Sequence, residues 1–211
     1  PVRTTVVDPN DPTASPLGWH DTDGIAGANF TITRGNNVSA CVDADANNSC
    51  DPASQPDGTA ALDSAGALVP LDLATQQPAQ YKPAAVVNLF YWNNIMHDVA
   101  YQYGFDEPGG NFQAFNYTAT GLGNDFVNAD AQDGAELATP TLNNANFATP
   151  PDGSQPRMQM FRWQAPVQLA LAGTLTANYP AGAAAFGPTT YNITNAVVLA
   201  VDGDTPSPTQ G

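Results

Sequence analysis

Positive charge is scarce in this sequence. Five basic residues stand against 20 acidic ones among 211, for a formal net charge of −15. Arg3, Arg34, Lys82, Arg157 and Arg162 are scattered and form no patch. A phosphate backbone must be neutralised by clustered Lys and Arg, so a nucleic-acid partner is excluded, and an anionic membrane surface repels such a chain. Long apolar runs are absent as well. No stretch approaches the ~18 residues a membrane span requires, and residues 1–11 have no apolar segment of signal-peptide type. Histidine occurs only at His20 and His97, with no H-E-x-x-H and no G-x-S-x-G, so no complete catalytic constellation is present. A G-L-G-N-D stretch at Gly121–Asp125 lacks the context of a nucleotide loop.

What remains is a chain that is 42% hydrophobic, enough for a core, with only 12% charged residues. Asn, Gln, Thr, Ser and Asp do the solubilising. That composition suits an exported protein. Cysteine usage points the same way, since Cys41 and Cys50 enclose a loop short enough to bridge, and a disulfide persists only in an oxidising compartment. Two free thiols are the alternative.

Apolar residues at Ala28, Phe30 and Ile32, then Val38, Ala40 and Val42, alternate with polar ones around Arg34-Gly35-Asn36-Asn37, which predicts an antiparallel hairpin. A short strand is expected over Ala67–Leu73. Pro83 at a first turn and Gly104 past an end bracket a helix, and its apolar residues cover most of the circumference, which predicts a buried helix. Asn94, His97 and Tyr101, with Asn93 and Asp98 beside them, form its polar stripe. Buried polar groups need partners, so the stripe faces a hydrogen-bonded network or a cleft, the network being the simpler reading. The next 60 or so residues, rich in Gly, Asn and Asp, are too long for a structureless connection and are expected to be functional or to carry irregular sheet. From Gln164 charges almost vanish and Ala, Gly and Thr dominate, with strands expected at Val167–Leu171 and Ala196–Val201. This places a domain boundary near residue 164.

Inside the cysteine loop, Asp43, Asp45, Asn47, Ser49 and Asp51 put an oxygen-bearing side chain at every second position. The D-x-D-x-N-x-S-x-D spacing matches the first part of an EF-hand-like calcium loop. Asn48 replaces the glycine of position six and Ser54 the glutamate of position twelve, so a bidentate ligand must come from elsewhere. An ordinary solvated turn is the other reading.

Three stretches carry a resemblance to a family. One runs from Ser15-Pro16-Leu17-Gly18-Trp19-His20-Asp21 through Gly27–Val38 into the Asp43 loop. The second is Val87-Asn88-Leu89-Phe90-Tyr91-Trp92-Asn93-Asn94-Ile95-Met96-His97-Asp98, continuing to Gln113. The third includes Ala129-Asp130-Ala131-Gln132-Asp133-Gly134 and Asn143-Asn144-Ala145-Asn146-Phe147, ending at Met160. Together they resemble the fungalysin type of secreted zinc metallopeptidase. The resemblance implies an α+β fold: the mostly β-sheet N-terminal lobe (residues 1–163) of a thermolysin-like peptidase, with one long buried helix. Residues 164–211 resemble the start of a β-rich protease-associated insert.

The resemblance further implies a catalytic zinc held by residues C-terminal to this chain and a peptide or protein substrate. It implies a missing C-terminal zinc-binding lobe as partner, and an edge strand where Asn144, Ala145 and Asn146 bind the substrate backbone, with Asn144 and Asn146 expected on opposite faces. Cys41 departs from the family pattern, which has an aromatic residue there. The contrasting expectation is a non-catalytic, calcium-stabilised extracellular module that self-assembles through exposed edges.

Overall fold

A computed structural model describes residues 6–64, 72, 76–163, 168–171 and 177–180. The chain separates into two compact units, residues 1–164 and 165–211. In the first unit the longest element is α1 (Lys82–Gln102), with Pro83 in its first turn, as the sequence predicts within one residue. Strand β1 (Val38–Val42) precedes it; β2 (Val127–Ala131), β3 (Ala145–Ala148) and β4 (Arg157–Met160) follow.

The four strands form one mixed sheet in the order β1-β2-β4-β3. β1 and β2 are parallel with Val38 opposite Val127, and β2 is parallel to β4. Parallel neighbours require a crossover, and α1 supplies it. β3 returns antiparallel on β4, pairing Ala145 with Met160 and Phe147 with Met158, and so forms an edge of the sheet.

Alternation along β1 and β2 sorts the faces. Val38, Ala40, Val42, Val127, Ala129 and Ala131 join Val86, Leu89 and Phe90 of α1 in one buried cluster with Trp19 and Phe112. Ser39, Cys41, Asn128 and Asp130 belong to the opposite face. Small alanines on the helix side let α1 approach the sheet closely. The same alanines hide β2 from a hydrophobicity-based reading of Val127-Asn128-Ala129-Asp130-Ala131.

The expected hairpin forms in part, as a short antiparallel turn at Asn36-Asn37. Residues 28–31 build no strand, but Arg34 bridges Ser39 antiparallel, Gly35 N–H bonds the Val38 carbonyl, Ala40 N–H bonds the Thr33 carbonyl, and the Thr33 hydroxyl donates to the Ala40 carbonyl. Asn36 ties this turn to a distant segment, its amide donating to the Phe115 carbonyl and accepting the Phe115 N–H at 2.9 and 2.7 Å. The strand expected at Ala67–Leu73 and the one at Ala196–Val201 fall largely or wholly outside the described residues. In the second unit, β5 (Gln168–Leu171) lies where a strand is expected and pairs antiparallel with β6 (Ala177–Pro180).

Nor is α1 buried all round. Ala84, Val86, Leu89, Phe90, Asn94, His97 and Asp98 are buried, whereas Trp92, Met96 and Val99 are 53%, 61% and 45% exposed. A 21-residue helix lying on one side of one sheet presents only part of its circumference to that sheet. Its mixed apolar and polar inner face is what flattened the periodic signal.

Candidate functional site

The polar stripe of α1 faces a buried network. Asp98, 4% exposed, is its hub. One carboxylate oxygen accepts the Trp19 indole N–H and the Asp11 backbone N–H at 2.8 and 2.9 Å; the other accepts the Ser15 hydroxyl at 2.8 Å and lies 3.0 Å from His97 Nδ1. Burial alone would raise the Asp98 pKa, but these donors, His97 first among them, hold it below the ordinary carboxylate value. Asn94 donates to the Phe90 carbonyl and accepts from Asn37, which also reaches Ser15. His97 Nε2 lies 3.3 Å from the Asn111 amide, which donates to Gln113. Tyr101 is half-buried with its ring 6.2 Å from that of His97. The network joins the N-terminal arm, α1 and residues 111–113, and is structural.

Cys41 and Cys50 are bonded to each other, with Cα atoms 5.4 Å apart. Within the loop they close, carboxylate oxygens of Asp43, Asp45 and Asp51 lie within 4.8 Å of one another. Asn48 takes the left-handed conformation at φ 62°, the position where an EF-hand loop has glycine. Asn47 and Ser49 sit beside these carboxylates, the Asn47 backbone N–H bonding Asp43 at 3.0 Å. Asn47 accepts the Ser49 N–H and donates to Asp45, and Asn47 and Ser49 are exposed.

A second acidic group, missed in the sequence, shares Asp43: Asp43, Asp130 and Asp133 are all buried and also converge within 4.8 Å. Asp43 is separated from Asp130 by the whole β1–α1–β2 crossover, so only parallel pairing brings them together. Arg157 donates to Asp130, and Gln159 donates to Asp133. Burial pushes the Asp43 pKa up, and Asp133 adds to the rise against hydrogen bonds from Asn47 and Asn48. Burial likewise raises Asp130, opposed by Arg157 and reinforced by Asp43 and Asp133.

These shifts fix a pH dependence. Asp43, Asp125 and Asp130 have folded pKa values raised above 3.8, so each favours folding more as pH falls toward 3.8. Half-buried His20, held below 6.5 by desolvation, works the other way, and Asp98 withdraws its stabilisation only below 3.8. With chelator present, the melting temperature is expected to peak in mildly acidic buffer and fall steeply below pH 3.8. A calorimetric series from pH 3 to 8 checks this; a monotonic rise to neutrality contradicts it.

At the other edge, β3 is exposed at all four residues. Phe161 N–H bonds the Asn144 carbonyl at 3.3 Å. By antiparallel alternation, Asn146 and Ala148 then bond β4, while Ala145 and Phe147 turn their N–H and C=O outward. The Asn144 side chain folds over the first of these groups, its Oδ1 accepting the Ala145 N–H at 2.9 Å. Asn144 and Asn146 are two residues apart, so alternation puts them on one face and not on the opposite faces expected from the sequence. Phe147 leans on Phe112, which meets Phe105 just past α1, with centroids 6.1 and 5.1 Å apart.

Comparison with known proteins places this architecture. The profile of the Fungalysin metallopeptidase (M36) family matches residues 2–196. The chain is 42% identical over 150 residues to "Extracellular metalloproteinase 2" of Arthroderma otae, covering 71% of this chain and 22% of that protein. It is 42% identical over 161 residues to the protein of the same name from Phaeosphaeria nodorum, and 41% over 163 residues to that from Arthroderma gypseum; each match covers 76% of this chain and 24% of the relative. The chain belongs to the fungalysin metallopeptidase family, and spans about a quarter of the length of these relatives.

The family implies a catalytic metal, usually zinc, and the described residues do not fit one. Zinc sites are built from His, Cys and carboxylate groups with at least some nitrogen or sulfur ligands. His20 points Nδ1 at the Arg34 carbonyl and stacks on Phe90, His97 is tied to Asp98 and Asn111, and both cysteines are in the disulfide. Every convergent group of three metal-capable residues in the described part is made of aspartates alone, a donor set for a hard cation such as calcium.

Proposed function

We propose that this chain is the N-terminal, substrate-binding wall of a secreted zinc endopeptidase whose zinc ligands lie in the larger remainder of the protein. The carrying observation is β3, a strand exposed along its whole length at the edge of the sheet. An extended peptide added to that edge hydrogen-bonds to outward groups of Ala145 and Phe147, which reads peptide backbone without demanding a particular side chain. Export is supported by the extracellular relatives and by the disulfide. No helix among the described residues is long and apolar enough to cross a membrane. Residues 165–211 are read as the opening of a protease-associated insert.

In this reading a substrate displaces Asn144 Oδ1 from the Ala145 N–H, and the freed amide side chain then contacts the substrate main chain. In the intact enzyme, Asn144→Ala removes that contact while leaving β3 and the metal untouched. A neutral hydrogen bond is worth roughly 0.5–1.5 kcal/mol, so kcat/KM is expected to fall about 2- to 13-fold with normal zinc content. An unchanged kcat/KM contradicts the role of Asn144. Residues 1–211 alone are expected neither to bind zinc stoichiometrically nor to cleave casein; metal analysis showing one tight zinc per chain overturns the assignment.

A calcium ion is proposed at the Asp43 region, supported by the two carboxylate groups converging there. Asp43, Asp45, Asn47, Ser49 and Asp51 are its candidate ligands within the loop, and Asp130 and Asp133 are further carboxylates beside Asp43. Calcium stabilisation of this kind also suits the contrasting reading, a non-catalytic extracellular module, which the casein assay on the intact protein separates from the first.

A further inference from the structure

Four exposed apolar side chains follow one another along α1 and just past its end: Trp92 at 53%, Met96 at 61%, Val99 at 45% and Tyr103 at 87%. Their separations of four, three and four residues make one continuous seam, the spacing that presents knobs to a neighbouring helix. At a rise of 1.5 Å per residue, the seam is about 17 Å long.

No charge interrupts it. From Pro83 to Tyr103 the only acidic residue is Asp98, which is turned inward, and the one histidine, His97, is buried beside it. The exposed flanks carry the amides Asn88 and Gln102, the latter donating to the Asp11 carboxylate at 2.7 Å beside the C-terminal end of the seam. Such a face is out of place in a chain with 20 acidic residues. Single exposed apolar residues are ordinary, but a contiguous apolar seam marks an interface.

We infer that this seam is the docking surface for an apolar-faced helix supplied by the remainder of the parent peptidase, an inference that rests on the reading of this chain as one lobe of a larger enzyme. The relatives are about four times as long as the segment matched here, so chain of the right origin exists in quantity. A second copy of this chain is the weaker occupant, because two bodies of charge −15 repel one another before their seams meet.

The test introduces Met96→Glu into residues 1–211 and into the intact enzyme. In residues 1–211 the side chain stays in water, and the melting temperature is expected to be unchanged. In the intact enzyme a buried unpaired carboxylate is expected to lower it by roughly 5 °C or more. Met96→Ala serves as the milder variant should Met96→Glu prevent expression of the intact protein, with a smaller shift of the same pattern. Equal shifts in both proteins, or none in either, overturn the inference. A concentration-dependent dimer of residues 1–211 that Met96→Glu abolishes overturns it too, by naming the second copy as occupant. Casein cleavage by the wild-type intact protein is read in parallel. Its absence defeats the peptidase reading, while a shift confined to the intact protein still establishes the seam.

Discussion

Asp98→Ala is expected to be the most destabilising single substitution in the buried network. The substitution removes one carboxylate but strands four groups: the Trp19 indole N–H, the Ser15 hydroxyl, the Asp11 backbone N–H and His97 Nδ1. Ser15 and Trp19 are buried, so water cannot replace the lost acceptor without opening the arm over α1. A buried group left without its partner costs about 1–3 kcal/mol, and broken buried charge networks cost about 3–5 kcal/mol in total. Against a total stability of roughly 5–15 kcal/mol, that is a large fraction. For a unit of this size it corresponds to a fall in melting temperature of about 10–15 °C. Asp98→Asn keeps an acceptor oxygen and is expected to lose about half as much. Thermal melts of both variants check the ordering; equal losses would show that the negative charge, and not hydrogen bonding, is what the network needs.

The second large effect concerns the Cys41–Cys50 bridge and the carboxylates around Asp43. Closing a loop of this length stabilises by roughly 2–3 kcal/mol in the chain-entropy account, so the double variant Cys41→Ser, Cys50→Ser is expected to melt about 5–10 °C lower. A chelator is expected to lower the melt of the wild type as well, since a ligand bound only by the folded state stabilises it. Because bridge and ion act on one loop, the two losses are expected to be non-additive, with chelator doing less to the cysteine-free variant. A wild-type melt indifferent to chelator removes the calcium and leaves the disulfide.

How much of this could be read from the chain alone differs from element to element. α1 was legible because Pro83 and Gly104 bracket it and its apolar residues cover most of its circumference. The partners of Asn94 and Asp98 were not, since Ser15, Asn37 and Asn111 lie far away in sequence and only the fold gathers them. β1 showed as an alternating run, but its partner did not. The local turn at Arg34–Asn37 does supply a short antiparallel neighbour, but the parallel partner β2 arrives through a long crossover that no local pattern announces. β2 and β3 carry too little hydrophobicity to stand out, and β3 was placed by family resemblance alone. The aspartate spacing in the cysteine loop revealed Asp43, Asp45 and Asp51, but the buried Asp130 and Asp133 depend on strand register that no local pattern encodes.

The central claim, that β3 is the edge to which peptide substrate adds, is tested most directly by amide hydrogen exchange on the intact enzyme with and without a non-hydrolysable extended peptide. The account predicts new protection at Ala145 and Phe147, whose N–H groups face outward, and little change at Asn146 and Ala148, which already bond β4. Unchanged exchange over all four residues at saturating peptide would contradict it.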